Sequence, residues 1–162
     1  MDILSRLNNN IFKILRIVAI LLFMLLVTIV SFQVINRLFL HLSAVWTEEL
    51  ARFNFVWLSL VGAALCIKNR IHLAIDMVTS SVSEKIKCYM FIVVDILMII
   101  FSVIFFYSGL KQVLANIGTV AIVSGFPLSI VFIIIPIVSI IFFLFSLELL
   151  GNGIKSVRDL SH

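Results

Sequence analysis

The chain has 162 residues, 63% of them hydrophobic and 12% charged, with a net charge of +4. Ordinary soluble domains carry about 25% charged residues, so this composition leaves too little polar surface to face water, and no attached soluble catalytic domain is expected. It indicates an integral membrane protein, and the small positive balance needs no nucleic-acid partner to account for it.

A membrane-spanning helix takes roughly 20 mainly apolar residues to cross about 30 Å of hydrocarbon. The first such stretch is Ile17 to Ile35, broken only by Thr28, Ser31 and Gln33. It is too long for the h-region of a cleaved signal peptide, about 7–15 residues, and Asn36, Arg37 and Leu38 stand where small cleavage-site residues would be required. A retained span over 14–36 is expected. The following link, Leu38 to Trp46, is itself apolar, with His41 and Ser43 its main polar points. Half apolar and too short to cross, it is expected to form a short helix lying in the interface, with Trp46 as an aromatic anchor.

The second stretch is unusual, because its uninterrupted apolar part runs only from Phe55 to Ile67. It reaches across if the helix starts near Thr47, giving a span over 47–67 that carries Glu48, Glu49 and Arg52 into the headgroup zone. Thr47 then caps the helix and the two glutamates sit in its first turn, favoured by the helix dipole. Within it, Ser59, Gly62, Ala63 and Cys66 form a small-residue strip at spacings of three and four, of the kind that lets helix backbones approach closely in lipid. A basic link from Lys68 to Lys87 follows. The third span is expected over 89–110, with the single charge Asp95, and the fourth over 128–149. The link between them, Gln112 to Phe126, has no charge, and Gly118, Gly125 and Pro127 punctuate it. Water alone is a poor solvent for it, so it is expected to dip into the membrane face or to pack on other protein.

Alternate compartments hold nine and three of the basic residues. The richer set belongs inside, which places both termini in the cytoplasm. Cys66 and Cys88 then fall on the reducing side and read as small buried hydrophobes rather than a disulfide. The fold class is therefore all-α: one integral membrane domain over 1–162, with four transmembrane helices and a short interfacial helix between the first and second.

Few residues carry chemistry. Glu48 and Arg52 are four apart and Glu49 and Arg52 three apart, so either pair closes an ion pair on a helix. Trp46, Glu49, Phe53 and Trp57 share roughly one face. The local reading is an interfacial salt bridge; the sharper one is a docking point for another protein or for lipid headgroups. Asp95 costs a few kcal/mol if it faces lipid, so it is expected to face protein and pair with a cytoplasmic-side Lys or Arg. His72 and Asp76 have a spacing that suits a metal on a helix, but two ligands are too few for a structural zinc site. No catalytic, substrate-binding or metal-binding set emerges, and no cofactor is expected.

Taken together, Trp46, Glu49, Arg52, Trp57, Gly62, His72 and Asp76 give a pattern that resembles the small membrane (Q-type) subunit of tripartite ATP-independent periplasmic (TRAP) transporters. Pro127 and Pro136 look like the prolines that flank and enter that family's last span, and Ile71 stands where the family often has Gly. The resemblance implies a bacterial inner-membrane, multi-pass accessory subunit that is no enzyme. Its implied partners are a large membrane subunit, in a 1:1 heterodimer, a periplasmic substrate-binding protein and membrane lipid. The transporter it implies takes up organic acids such as sialic acid or C4-dicarboxylates on a sodium gradient. On that resemblance Trp46, Glu48, Glu49, Arg52, Trp57, Gly62, His72, Asp76 and Asp95 are interface or structural points. An alternative from the residues alone is an autonomous proton-coupled exporter relying on Asp95.

Overall fold

In the computed structural model, residues 2–40, 45–69 and 84–159 are described, and among them the chain is almost wholly helical. Helix α1 runs Asp2–Ile35 and continues into a π-helical turn, Asn36–Leu40. Helix α2 is Val45–Lys68, α3 is Glu84–Ala115, α4 is the short Leu128–Phe132, and α5 is Ile134–Asp159. Four of these helical stretches are long and apolar enough to cross a membrane: Ser5–Phe39, Val45–Lys68, Cys88–Ala115 and Leu128–Arg158. Helices are the natural solution here, since hydrocarbon offers no partner for an unpaired backbone N–H or C=O. Each of the first, third and last outruns the span expected from apolar runs, because helix continues past the apolar residues into polar ones. Thr47 lies inside the first turn of α2, buried at 1% exposure, and so does not serve as the expected cap.

The four long helices form a row in the order α1, α2, α5, α3, each antiparallel to its neighbour in sequence. The most extensive packing joins α1 to α2 and α3 to α5, and the two hairpins meet along α2 and α5. The apolar core follows that seam: Val61, Ala64 and Ile67 of α2 pack with Ile134, Val138, Phe142, Phe145 and Leu149 of α5, and Leu15 of α1 joins them. The Leu128–Arg158 stretch is the most enclosed, with 39% of its apolar part buried against 6% for Ser5–Phe39. A methyl group added to Gly109 would sit 2.6 Å from Ile135 Cγ2, so the absent side chain is what lets α3 and α5 approach.

The break between α4 and α5 falls at Ile133. Pro136 has no N–H to give to the carbonyl of Phe132, and its ring crowds that carbonyl, which interrupts the helical ladder there. The α3–α4 connection is a compact loop. Ala121 N–H donates to Phe126 O (2.8 Å) and Leu128 N–H to Thr119 O (3.1 Å), and Gly118 and Gly125 supply the positive φ values of 83° and 67° that its turns require. Of its apolar side chains, Ile122 is 98% exposed, whereas Ala121 is buried and Phe126 turns back onto Phe53 of α2.

Candidate functional site

Polar groups gather at both ends of the bundle. At one end, where α1 begins and α2 and α5 finish, Lys68 Nζ donates to Glu148 Oε2 at 2.6 Å. Asn8 Nδ2 donates to the same oxygen at 2.6 Å and to Leu144 O at 3.0 Å. The Lys68 ammonium also lies 5.6 Å from the centre of the Phe145 ring. Side-chain exposures of 13% and 8% place this pair out of reach of water screening, and it ties three helices together. The sequence does mark Glu148 as an acid near the end of the fourth span, but not its partner. Asn8 and Glu148 are 140 positions apart, a distance no local pattern reports. Asp95 is buried, at 6% exposure, as expected for an acid turned towards protein.

At the other end the three charges that stand together in sequence separate in space. Glu49 turns towards the α3–α4 loop, where its Oε2 accepts the backbone N–H of Ser124 at 2.7 Å. Phe53 packs on Phe126 with ring centres 6.4 Å apart, and Trp57 Nε1 donates to Val131 O at 2.9 Å. That face of α2 is therefore occupied by the chain's own loop and α4. Asn54 on the neighbouring face donates to Leu22 O at 3.0 Å and fixes the register of α1 against α2. Trp46, half exposed, meets Phe32 of α1 at 6.5 Å.

Glu48 and Arg52 point outwards instead. Their ion pair is long at 3.5 Å, with side chains 62% and 70% exposed. On the same exposed side of α2, at helical spacing, follow Phe55, Ser59, Ala63 and Cys66. Beside them lies Gly62, where an added methyl group would meet nothing within 4 Å. The small-residue strip is thus unused inside the chain, and Cys66 is exposed rather than buried as the sequence suggested. One face of α2 consequently carries an exposed ion pair at its mouth and a shallow, small-residue track behind it. Such a surface suits close approach by a second helix. His41, His72 and Asp76 lie outside the described residues. Among the described residues no three metal-ligating side chains come together.

Comparison with known proteins follows from this geometry. The family described as "Tripartite ATP-independent periplasmic transporters, DctQ component" matches residues 26–156. The sialic acid TRAP transporter permease protein SiaT of Haemophilus influenzae (strain 86-028NP) is 24% identical over 120 residues, which is 74% of this chain and 20% of that protein. The isethionate TRAP transporter permease protein DctMQ of Oleidesulfovibrio alaskensis is 34% identical over 77 residues, 44% of this chain and 12% of that protein. The sialic acid TRAP transporter small permease protein SiaQ of Vibrio cholerae is 28% identical over 100 residues, 62% of this chain and 56% of its own length. The chain thus spans only a small part of the first two relatives and little more than half of the third. With four membrane-length helices and a match that covers most of its length, this multi-pass inner-membrane chain belongs to the DctQ, or small permease, component of the tripartite ATP-independent periplasmic transporters.

Proposed function

We propose that the chain is an accessory scaffold: it binds a larger permease one-to-one and has no translocation path of its own. The observation that carries this reading is the share of SiaT and DctMQ it accounts for. Those proteins are named as permeases, and the unit similar to this chain makes up 20% and 12% of them. The remainder is the natural counterpart of a large partner. In that assembly the larger subunit binds substrate and sodium, and a periplasmic binding protein delivers an organic acid. That acid is of a class such as sialic acid or a C4-dicarboxylate. Both termini face the cytoplasm, with spans near 14–36, 47–67, 89–110 and 128–149. The chain performs no catalysis, and lipid covers what the partner does not.

The polar geometry supports the reading. Lys68, Asn8 and Glu148 are committed to one another, and Glu49 to the chain's own loop. The outward face of α2, with Glu48, Arg52 and the track past Gly62, is the surface offered to the large subunit. Trp46, Glu49 and Trp57 support it from behind by holding α1, the loop and α4 in place. The test is co-expression with a large permease and a binding protein. A one-to-one complex should co-purify, uptake should need both membrane subunits, and uptake by this chain alone would refute the scaffold role. The autonomous exporter reading is favoured only by buried Asp95. It requires that Asp95→Asn abolish transport by the isolated chain while leaving its assembly intact.

A further inference from the structure

Exposed charges on the two outer helices of the row stand within about two helical turns of each other along the bundle, although each marks the end of its helix's apolar run. The hydrogen bonds and close approaches already described align the helices. Asn54 is level with Leu22, Lys68 with Asn8 and Glu148, Gly109 with Ile135, and Gly153 with Ile92. On that alignment Arg16 of α1 and Lys111 of α3, both exposed, lie within about two helical turns, ~10 Å, of each other in height, Arg16 being the nearer to the end where α1 begins. Yet α1 is free of charge from Arg16 up to Arg37, whereas α3 is free of exposed charge from Lys111 back towards Lys87, in the opposite direction along the bundle.

The remaining charges follow the same slope. At the end where α2 and α5 finish, the borders are Arg16 on α1, Lys68 on α2 and Lys155 on α5, each further along the bundle than the last. At the other end they are Arg37 on α1, Glu48 and Arg52 on α2, and Lys111 on α3, shifting in the same sense. Across the row each border moves by roughly 20–25 Å at 1.5 Å per residue. The charge-free length on α1 or α3 stays near the ~30 Å of a hydrocarbon core. An upright bundle could not place these two charges, ~10 Å apart in height, at opposite borders of a core about 30 Å thick, and a charge left facing lipid costs several kcal/mol.

We infer that the four-helix row sits obliquely in the bilayer, tilted within its own plane, so that Arg16 and Lys111, only ~10 Å apart in height along the bundle, reach opposite headgroup layers. Neighbouring helix axes lie about 8–10 Å apart, so a tilt on the order of 40° achieves this once the long basic side chains snorkel. That is steeper than the average of roughly 20° for membrane helices. The occupant of the slanted apolar belt is lipid, because the belt is bounded along both edges by charge and its width is that of a bilayer core. The inference does not rest on the scaffold role.

The test uses the full chain with Cys66→Ala and Cys88→Ala, reconstituted in vesicles of phosphatidylethanolamine and phosphatidylglycerol. Single cysteines replace Ile17, Ser59 or Tyr107, which are exposed and lie at one height in the bundle. Each carries a nitroxide, and depth is read from collisions with oxygen and with a water-soluble nickel complex. Labels at 17 and 107 should be several-fold more accessible to nickel than the label at 59. Equal, deep readings at all three would overturn the inference. Polarised infrared spectra of the unlabelled chain in oriented bilayers give an independent reading. A mean helix tilt well above 20° is expected, and one at or below it would overturn the inference.

Discussion

Glu148 and Glu49 are both acids next to long apolar runs, and their surroundings give them different work. Glu148 accepts from Lys68 and Asn8 with almost no water access. Removing one member of such a buried pair strands the other charge, which costs roughly 3–5 kcal/mol, whereas replacing both by apolar side chains of similar size is often neutral. Lys68→Met alone should therefore lower the unfolding temperature in detergent markedly, and Lys68→Met with Glu148→Leu should recover most of the loss. Glu49 instead satisfies one backbone N–H of the loop. Glu49→Ala leaves that donor without its partner, at a cost of about 1–3 kcal/mol, and should speed hydrogen exchange at the Ser124 amide. Glu48 and Arg52 form an exposed pair worth at most about 1 kcal/mol to the fold. Reversing either charge should leave the unfolding temperature of the isolated chain unchanged while weakening co-purification with the large permease. A defect from Glu49→Arg, by contrast, would mix loop damage with interface damage. The sequence placed all three charges at one helix mouth; which way each points depends on a loop about 75 positions away.

Two glycines separate the demands made on helices by the chain itself from those made by a partner. Gly109 stands where α3 meets α5, and an added Cβ would collide with Ile135 and Pro136. Gly109→Leu forces extra volume into a packed contact, a change that typically costs about 1–3 kcal/mol. It should lower the thermal stability of the purified chain. Gly62 has open space around it on the outward side of α2. Gly62→Leu should leave the chain's own unfolding temperature unchanged or slightly raised, because Leu is the better helix former, while blocking close approach of a partner helix. Loss of co-purification without loss of stability is the expected outcome, and an intact complex would count against this face. Both glycines sit in apolar stretches and look alike in sequence. The strip containing Gly62 announces close packing without saying whether the neighbour is in the same chain.

At the scale of the whole molecule, α1 and α3 have most of their surface exposed and α5 is the enclosed member of the row. A slab of this shape widens whatever it binds, which fits an accessory unit of a transporter better than a vessel around a substrate. The proposed dependence on a larger permease is checked by uptake: deleting this chain from cells that retain a permease and a binding protein should abolish or strongly reduce it. The four crossing helices, the basic asymmetry and the family pattern from Trp46 to Asp76 are determined by the sequence alone. The reason is that hydrocarbon imposes a length and a polarity on every residue that enters it, one helix at a time. Tertiary structure alone decided that Lys68, Asn8 and Glu148 meet, that Glu49 holds a loop while Glu48 and Arg52 face outwards, and that the apolar bands of the helices are staggered. These depend on helix register and order in the row, set by the packing of Val61, Ala64, Val138 and Phe145 and by the gap at Gly109. Such contacts join residues far apart in the chain and leave no periodic trace in it.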